Sequence, residues 1–142
     1  YLMLLLFHLY TNNTKTNQRK PKKSLEKLKL VLEFIHNNYR NPITIEEIAE
    51  VCHYSPSHFM KFFKETMGCG FIQYLNEYRL TLAAKLLQTT DDSILDISEQ
   101  TGFENLSYFN RLFKRKYNRT PSTYREQNTF KKVLLSPEES SP

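Results

Sequence analysis

One stretch of this 142-residue chain occurs twice, and no other feature constrains the fold as strongly. Thr44, Ile45, Glu46, Glu47 and Ile48 correspond to Ser93, Ile94, Leu95, Asp96 and Ile97 at an offset of 49. Further on, Ser57-His58-Phe59-Met60-Lys61-Phe62-Phe63-Lys64 corresponds to Ser107-Tyr108-Phe109-Asn110-Arg111-Leu112-Phe113-Lys114, now at an offset of 50. The extra residue falls in the intervening turn, where the second copy has Gly102. The match runs on from Gln73-Tyr74 to Thr123-Tyr124. A repeat of roughly 50 residues is one supersecondary unit copied, so whatever the first copy folds into, the second must fold into as well.

Each copy reads as short helix, tight turn, longer helix. A hydroxyl stands three residues before an acid at Thr44/Glu47 and at Ser93/Asp96, the pattern of a capping box opening a short helix. Ser55-Pro56 supplies an N-cap and a Pro at the first helical position of the first longer helix, and Asn105 is the equivalent cap in the second. Upstream, Ser24 is expected to cap a first helix with Leu25, Leu28, Val31, Leu32 and Ile35 on one face, ended by Asn41-Pro42. Between the copies a connecting helix is expected over residues 71–88, with Ile72, Leu75, Leu82 and Leu86 at helical spacing. The expected class is all-α: two helix-turn-helix subdomains, each a three-helix unit, joined by a long central helix.

The faces of the longer helices carry the functional argument. At 100° per residue, Ser57, Met60, Lys61 and Lys64 share one side and Phe59, Phe62 and Phe63 the other. In the second copy Ser107, Asn110, Arg111 and Lys114 oppose Phe109, Leu112 and Phe113. An ordinary amphipathic helix with a solvated face would show as much once. Lys or Arg at the same two positions of both copies is harder to attribute to solvation alone. Acids are segregated onto the short helix (Glu46, Glu47, Glu50), whereas Arg111, Lys114, Arg115, Lys116 and Arg119 run without one acid between them, a pattern that suits phosphates. At 1.5 Å rise the connecting helix spans roughly 25 Å, a rod long enough to hold two recognition helices in consecutive major grooves.

Net charge adds less than it promises. The formal charge is +5, but residues 15–29 hold seven Lys or Arg against one Glu, so the rest of the chain nets −1. Position, not total, is what matters. The hydrophobic share of 39% excludes a wholly disordered chain, and two cysteines exclude a disulfide scaffold. Cys52 and Cys69 fit neither a C-x-x-C nor a metal-ligand quartet and read as reduced structural thiols, with a Cys52–His53 nucleophile pair as the remote alternative. No Gly-rich phosphate loop, His-Asp-Ser set or metal quartet is present, so no enzyme activity, cofactor or metal is expected.

The organisation expected is an apolar segment at 1–10, a basic polar linker at 11–23 and a first unit at 24–70 with its motif at about 44–66. The connecting helix at 71–88, a second unit at 89–126 with its motif at about 93–117, and a flexible tail at 127–142 complete it. YLMLLLFHLY is far short of the ~20 residues of a membrane span and reads as the end of a buried or dimer-forming helix.

With those residues in view, ITIEEIAEVCHYSPSHFMKFFKETMG, YLNEYRLTLAAKLL and ILDISEQTGFENLSYFNRLFKRKYNRTPSTYR resemble the two-unit DNA-binding domain of AraC/XylS-type bacterial transcription regulators over about residues 25–125. The segment ending in P-x-x-Y-R is the most specific. The first unit departs from the family pattern at His53, where a small residue or Gly is usual, and at Gly70, where Pro is usual. The resemblance implies binding to double-stranded promoter DNA. Carried over by position, base contacts fall to Ser57, Met60, Lys61, Leu106, Ser107, Asn110 and Arg111, and phosphate contacts to Lys64, Lys114 and Arg115. Met60 and Leu106 offer only apolar contact, whereas Arg111 suits a bidentate guanine contact and Asn110 an adenine one.

The same resemblance implies a cytoplasmic, nucleoid-associated regulator, an activator by family tendency and so in contact with RNA polymerase. A homodimer would form through an upstream sensing domain, and no membrane is involved. The competing reading is a helical protein-interaction module using Leu2–Leu9, with its basic faces merely solvated.

Overall fold

The computed structural model describes residues Arg19–Leu135, and among them every regular element is a helix: α1 (Arg19–Asn38), α2 (Ile45–Val51), α3 (Pro56–Met67), α4 (Phe71–Thr89), α5 (Ile94–Gln100), α6 (Leu106–Tyr117) and α7 (Pro121–Leu135). The apolar segment 1–10, most of the linker and the final seven residues lie outside the described residues. The chain divides into two compact units. The described part of the first is residues 19–37 with Thr44–Gly68, and that of the second is Asn38–Ile43 with residues 69–135.

In the first unit α1 presents Leu28, Val31 and Ile35, all buried, at the i, i+3, i+7 spacing of one helical face. Ile48 and Ala49 of α2 and Phe59, Phe62 and Phe63 of α3 are buried as well. α1 begins at Arg19, five residues ahead of the expected Ser24 cap, so Ser24 is an interior helical residue. The physical reason lies in Pro21. In the first turn its missing N–H costs no intrahelical hydrogen bond, and the Lys-rich run around it has good helix propensity.

The second unit is built around α4, with α5, α6 and α7 packed on one another and on it. Its core joins Leu80, Ala83, Ala84 and Leu87 of α4 to Ile97, Phe103, Phe109 and Phe113. Phe109 and Phe113 are fully buried and stack in a run with Phe103, at centroid separations of 5.1 and 5.8 Å. The buried side of α4 follows the stripe expected from sequence only in part. Leu75 is buried and Leu82 and Leu86 are half-buried, but Ile72 is half exposed, and Phe71, Tyr74 and Arg79 are buried with the core residues just named. A helix covered on more than one side has no single apolar stripe to read, and Tyr74 and Arg79 do not count as apolar in a pattern.

The P-x-x-Y-R segment turns out to be a clasp. Pro121 is buried at the start of α7. Tyr124 packs edge-on against Phe113 at 5.4 Å, and its hydroxyl accepts from Gln88 Nε2 at 2.6 Å. Arg125 donates to the Leu87 and Thr90 carbonyls, satisfying acceptors left open at the end of α4. α7 then runs to Leu135, past the point where a flexible tail was expected.

Candidate nucleic-acid interface

The two turns between short and longer helix share two backbone hydrogen bonds. His53 N–H donates to Glu50 O and Tyr54 N–H to Ala49 O. In the second unit Gly102 N–H donates to Glu99 O and Phe103 N–H to Ser98 O. Both turns need a left-handed residue, His53 at φ 58° and Gly102 at φ 94°. The extra residue of the second copy is Glu104, inserted after this shared turn.

Within the two copies the caps open the short and longer helices as the sequence implied, with one difference. Thr44 and Glu47 form the full reciprocal box: Glu47 N–H donates to Thr44 Oγ1 at 3.1 Å and Thr44 N–H to Glu47 Oε2 at 2.8 Å. At Ser93 only half is made, Asp96 N–H donating to Ser93 Oγ at 3.0 Å. The Asp side chain is one methylene shorter than Glu and does not complete the return bond. The longer helices are capped by Ser55, which accepts from His58 N–H, and by Asn105, which accepts from Tyr108 N–H at 2.9 Å.

These caps fix which face each longer helix shows. On α3, Ser57, Met60, Lys61 and Lys64 are exposed while Phe59 and Phe63 are fully buried. On α6, Ser107, Asn110, Arg111, Lys114 and Arg115 are exposed while Phe109 and Phe113 are fully buried. Leu106 is half-buried and packs against the core of its unit, which leaves only its edge for a partner.

The cations are not equivalent. Lys61 Nζ lies 4.0 Å from Glu65 Oε1, a solvent-facing pair one turn apart that constrains it little. Arg111 lies over the Tyr108 ring, 5.4 Å from its centroid. Lys64, Lys114 and Arg115 have no ion-pair or side-chain hydrogen-bond partner among the described residues. The basic run of α6 is split. Lys116 folds back onto α4, donating to Thr81 Oγ1 at 3.0 Å and Glu77 O at 3.3 Å, and partial burial pulls its ammonium below the usual lysine range. Arg119 is bonded to Gln127 and to the Tyr117 carbonyl. Both are spent on holding the unit together.

The Cys52–His53 nucleophile alternative fails on geometry. Cys52 is 1% exposed, its thiol points at the Ala49 carbonyl at 3.3 Å, and burial pushes its pKa up. A protonated thiol without solvent access is a poor nucleophile. Among the described residues no group of three or more His, Cys, Asp and Glu side chains is arranged to hold a metal, and no helix is long and apolar enough to cross a membrane.

Sequence reasoning passed over Asn76, whose Nδ2 donates to the Tyr108 hydroxyl at 3.0 Å. No periodicity reveals a tertiary bond between residues 32 apart.

Two capped helices, each set on a short helix through the same left-handed turn and each turning a polar, basic face outward, define a double helix-turn-helix domain. A family model described as a helix-turn-helix domain matches residues 48–127. The chain belongs to the AraC-type helix-turn-helix family of transcription regulators. It is 42% identical over 87 residues to "Probable transcription factor PqrA" of Proteus vulgaris, covering 61% of this chain and 71% of that one. To "Bifunctional transcriptional activator/DNA repair enzyme AdaA" of Bacillus subtilis it is 34% identical over 113 residues, 80% of this chain but 53% of AdaA. The chain thus spans about half or less of the first curated relatives it matches. A crystal structure of an AraC-type DNA-binding-domain regulator from Chromobacterium violaceum shares the fold, with a TM-score of 0.68, 30% identity and coverage of 74% of this chain and 94% of that one.

Proposed function

We propose that this chain reads double-stranded promoter DNA sequence-specifically, with α3 and α6 as recognition helices entering consecutive major grooves. Ser57, Met60 and Lys61 from α3 and Leu106, Ser107, Asn110 and Arg111 from α6 face the bases, and Lys64, Lys114 and Arg115 take phosphates. The observation that carries this reading is the matched exposure of Lys61/Arg111 and Lys64/Lys114 on helices whose opposite sides carry the fully buried Phe59/Phe109 and Phe63/Phe113. Outward-facing cations at corresponding sites of two copies supply both a grip on phosphates and donors to read base edges.

The reading is non-enzymatic. The repair activity in AdaA's name is AdaA's own, and this chain spans 53% of it. The activator half of that name supports activation here too, with contact to RNA polymerase, in the cytoplasm. A homodimer through an upstream part rests on residues 1–10, outside the described residues.

Selection from a random duplex pool at about 150 mM salt tests the proposal. Two enriched blocks about 10 base pairs apart are expected. A chain that enriches nothing over bulk duplex would sink it.

A further inference from the structure

Tyr108 stands outside the set of base- and phosphate-facing residues, yet among the described residues its side chain is hydrogen-bonded to another helix and theirs are not. It is the third residue of α6, and its N–H is tied to the Asn105 cap. Its hydroxyl accepts from Asn76 Nδ2 of α4 at 3.0 Å, and its ring lies 6.4 Å from that of Phe103, itself part of the core. Three residues on, one helical turn along the same side, the Arg111 guanidinium lies over this ring.

We infer that Tyr108 is a positioning residue for Arg111: the ring, fixed by Asn76, pre-orients the guanidinium for the base it reads. The inference rests on the DNA-reading function above. An unrestrained arginine loses much rotamer freedom when it docks on a base edge. A guanidinium resting on an aromatic face gives up that freedom beforehand and keeps its planar fork of donors directed sideways, the geometry that guanine O6 and N7 accept. The first unit has no such platform. There His58 stacks on Tyr54 at 3.9 Å, and Lys61 pairs only with Glu65.

The test uses the full chain, the duplex recovered by selection, and its variants at the base pair where Arg111→Ala loses preference. Tyr108→Leu is expected to cut discrimination at that pair about two- to fivefold, leaving the other positions unchanged and adding nothing to Arg111→Ala. Tyr108→Phe and Asn76→Ala each remove the same hydrogen bond, so each gives a smaller loss, and the double variant loses no more than either alone. Should Tyr108→Leu fail to fold, Tyr108→Phe, which keeps the ring, decides the question with Asn76→Ala.

Equal weakening on every duplex would make Tyr108 a phosphate contact and overturn the inference. So would undiminished discrimination, or additive losses in the Asn76→Ala/Tyr108→Phe pair. A wild-type chain with no sequence preference overturns the DNA-reading function itself. A wild type that discriminates and is indifferent to Tyr108 overturns only the positioning role.

Discussion

Gly102 lies so close to Arg79 that a Cβ on it would come within 2.8 Å of the guanidinium Nε and would overlap the Tyr39 carbonyl oxygen. Arg79 is itself buried, donating from Nε to Tyr39 O at 2.8 Å and from Nη2 to Asn41 O at 3.0 Å. Burial lowers its pKa, partly countered by Glu104, but a guanidinium stays charged at any ordinary pH. The turn of the second unit is therefore closed down onto a charged, hydrogen-bonded strap with no space for a side chain.

Replacing Gly102 by Ala combines a left-handed φ with a backbone collision, and should cost the second unit about 2–4 kcal/mol. At the matching position of the first unit the effect reverses. His53 already bears the strain at φ 58°, so His53→Gly should stabilise by about 0.5–1 kcal/mol. Urea midpoints of the two variants, moving in opposite directions, check both.

Arg111→Ala should cost about 1–3 kcal/mol of affinity and relax specificity at one base pair, whereas Lys114→Ala should weaken all duplexes alike and lower the salt slope by about one. Lys61→Ala should cost less than Arg111→Ala, because Lys61 is held only by a solvent-exposed pair. Binding isotherms across a salt series separate the three.

Phe63 and Phe113 are equivalent by repeat and equally buried, so each Ala variant should lose about 3–5 kcal/mol. The damage should be local. Amide protection should fall in α2 and α3 for Phe63→Ala, and in α5 and α6 for Phe113→Ala, by hydrogen exchange.

Alkaline stability should follow Tyr74. Burial raises its pKa from 10.0 to about 12. Between those values the folded chain keeps the phenolic proton and the unfolded chain releases it, so the contribution is whole below pH 10 and lost as pH rises toward 12, about 2–3 kcal/mol in all. Tyr78 and Tyr117 are raised in the same direction. Urea melts should therefore weaken above about pH 10, and Tyr74→Phe should flatten that decline without abolishing it.

How much of this was legible follows from which interactions are local. The repeat, the Ser55 and Asn105 caps and the outward basic faces are written in spacings of three and four residues, and sequence patterns carry those directly. What escaped depends on partners far along the chain. Lys116 reads as one more cation of a basic run until Glu77 and Thr81 on α4 are seen to hold it. Ile72 reads as core by spacing, but α4 turns it outward and buries Arg79. Pro21 reads as linker, although a helix accepts proline in its first turn.

The six-residue strap Asn38–Ile43 precedes the first copy of the repeat and packs with the second. Twins in sequence, the two copies are thus unequal in what they need. A fragment starting at Cys69 would inherit the whole second repeat and still lack the two carbonyls that Arg79 requires, leaving a stranded charge in its interior. Duplication made the copies alike, but the strap upstream of the first belongs to the fold of the second. Swapping recognition helices between relatives should therefore succeed where transplanting half a domain does not.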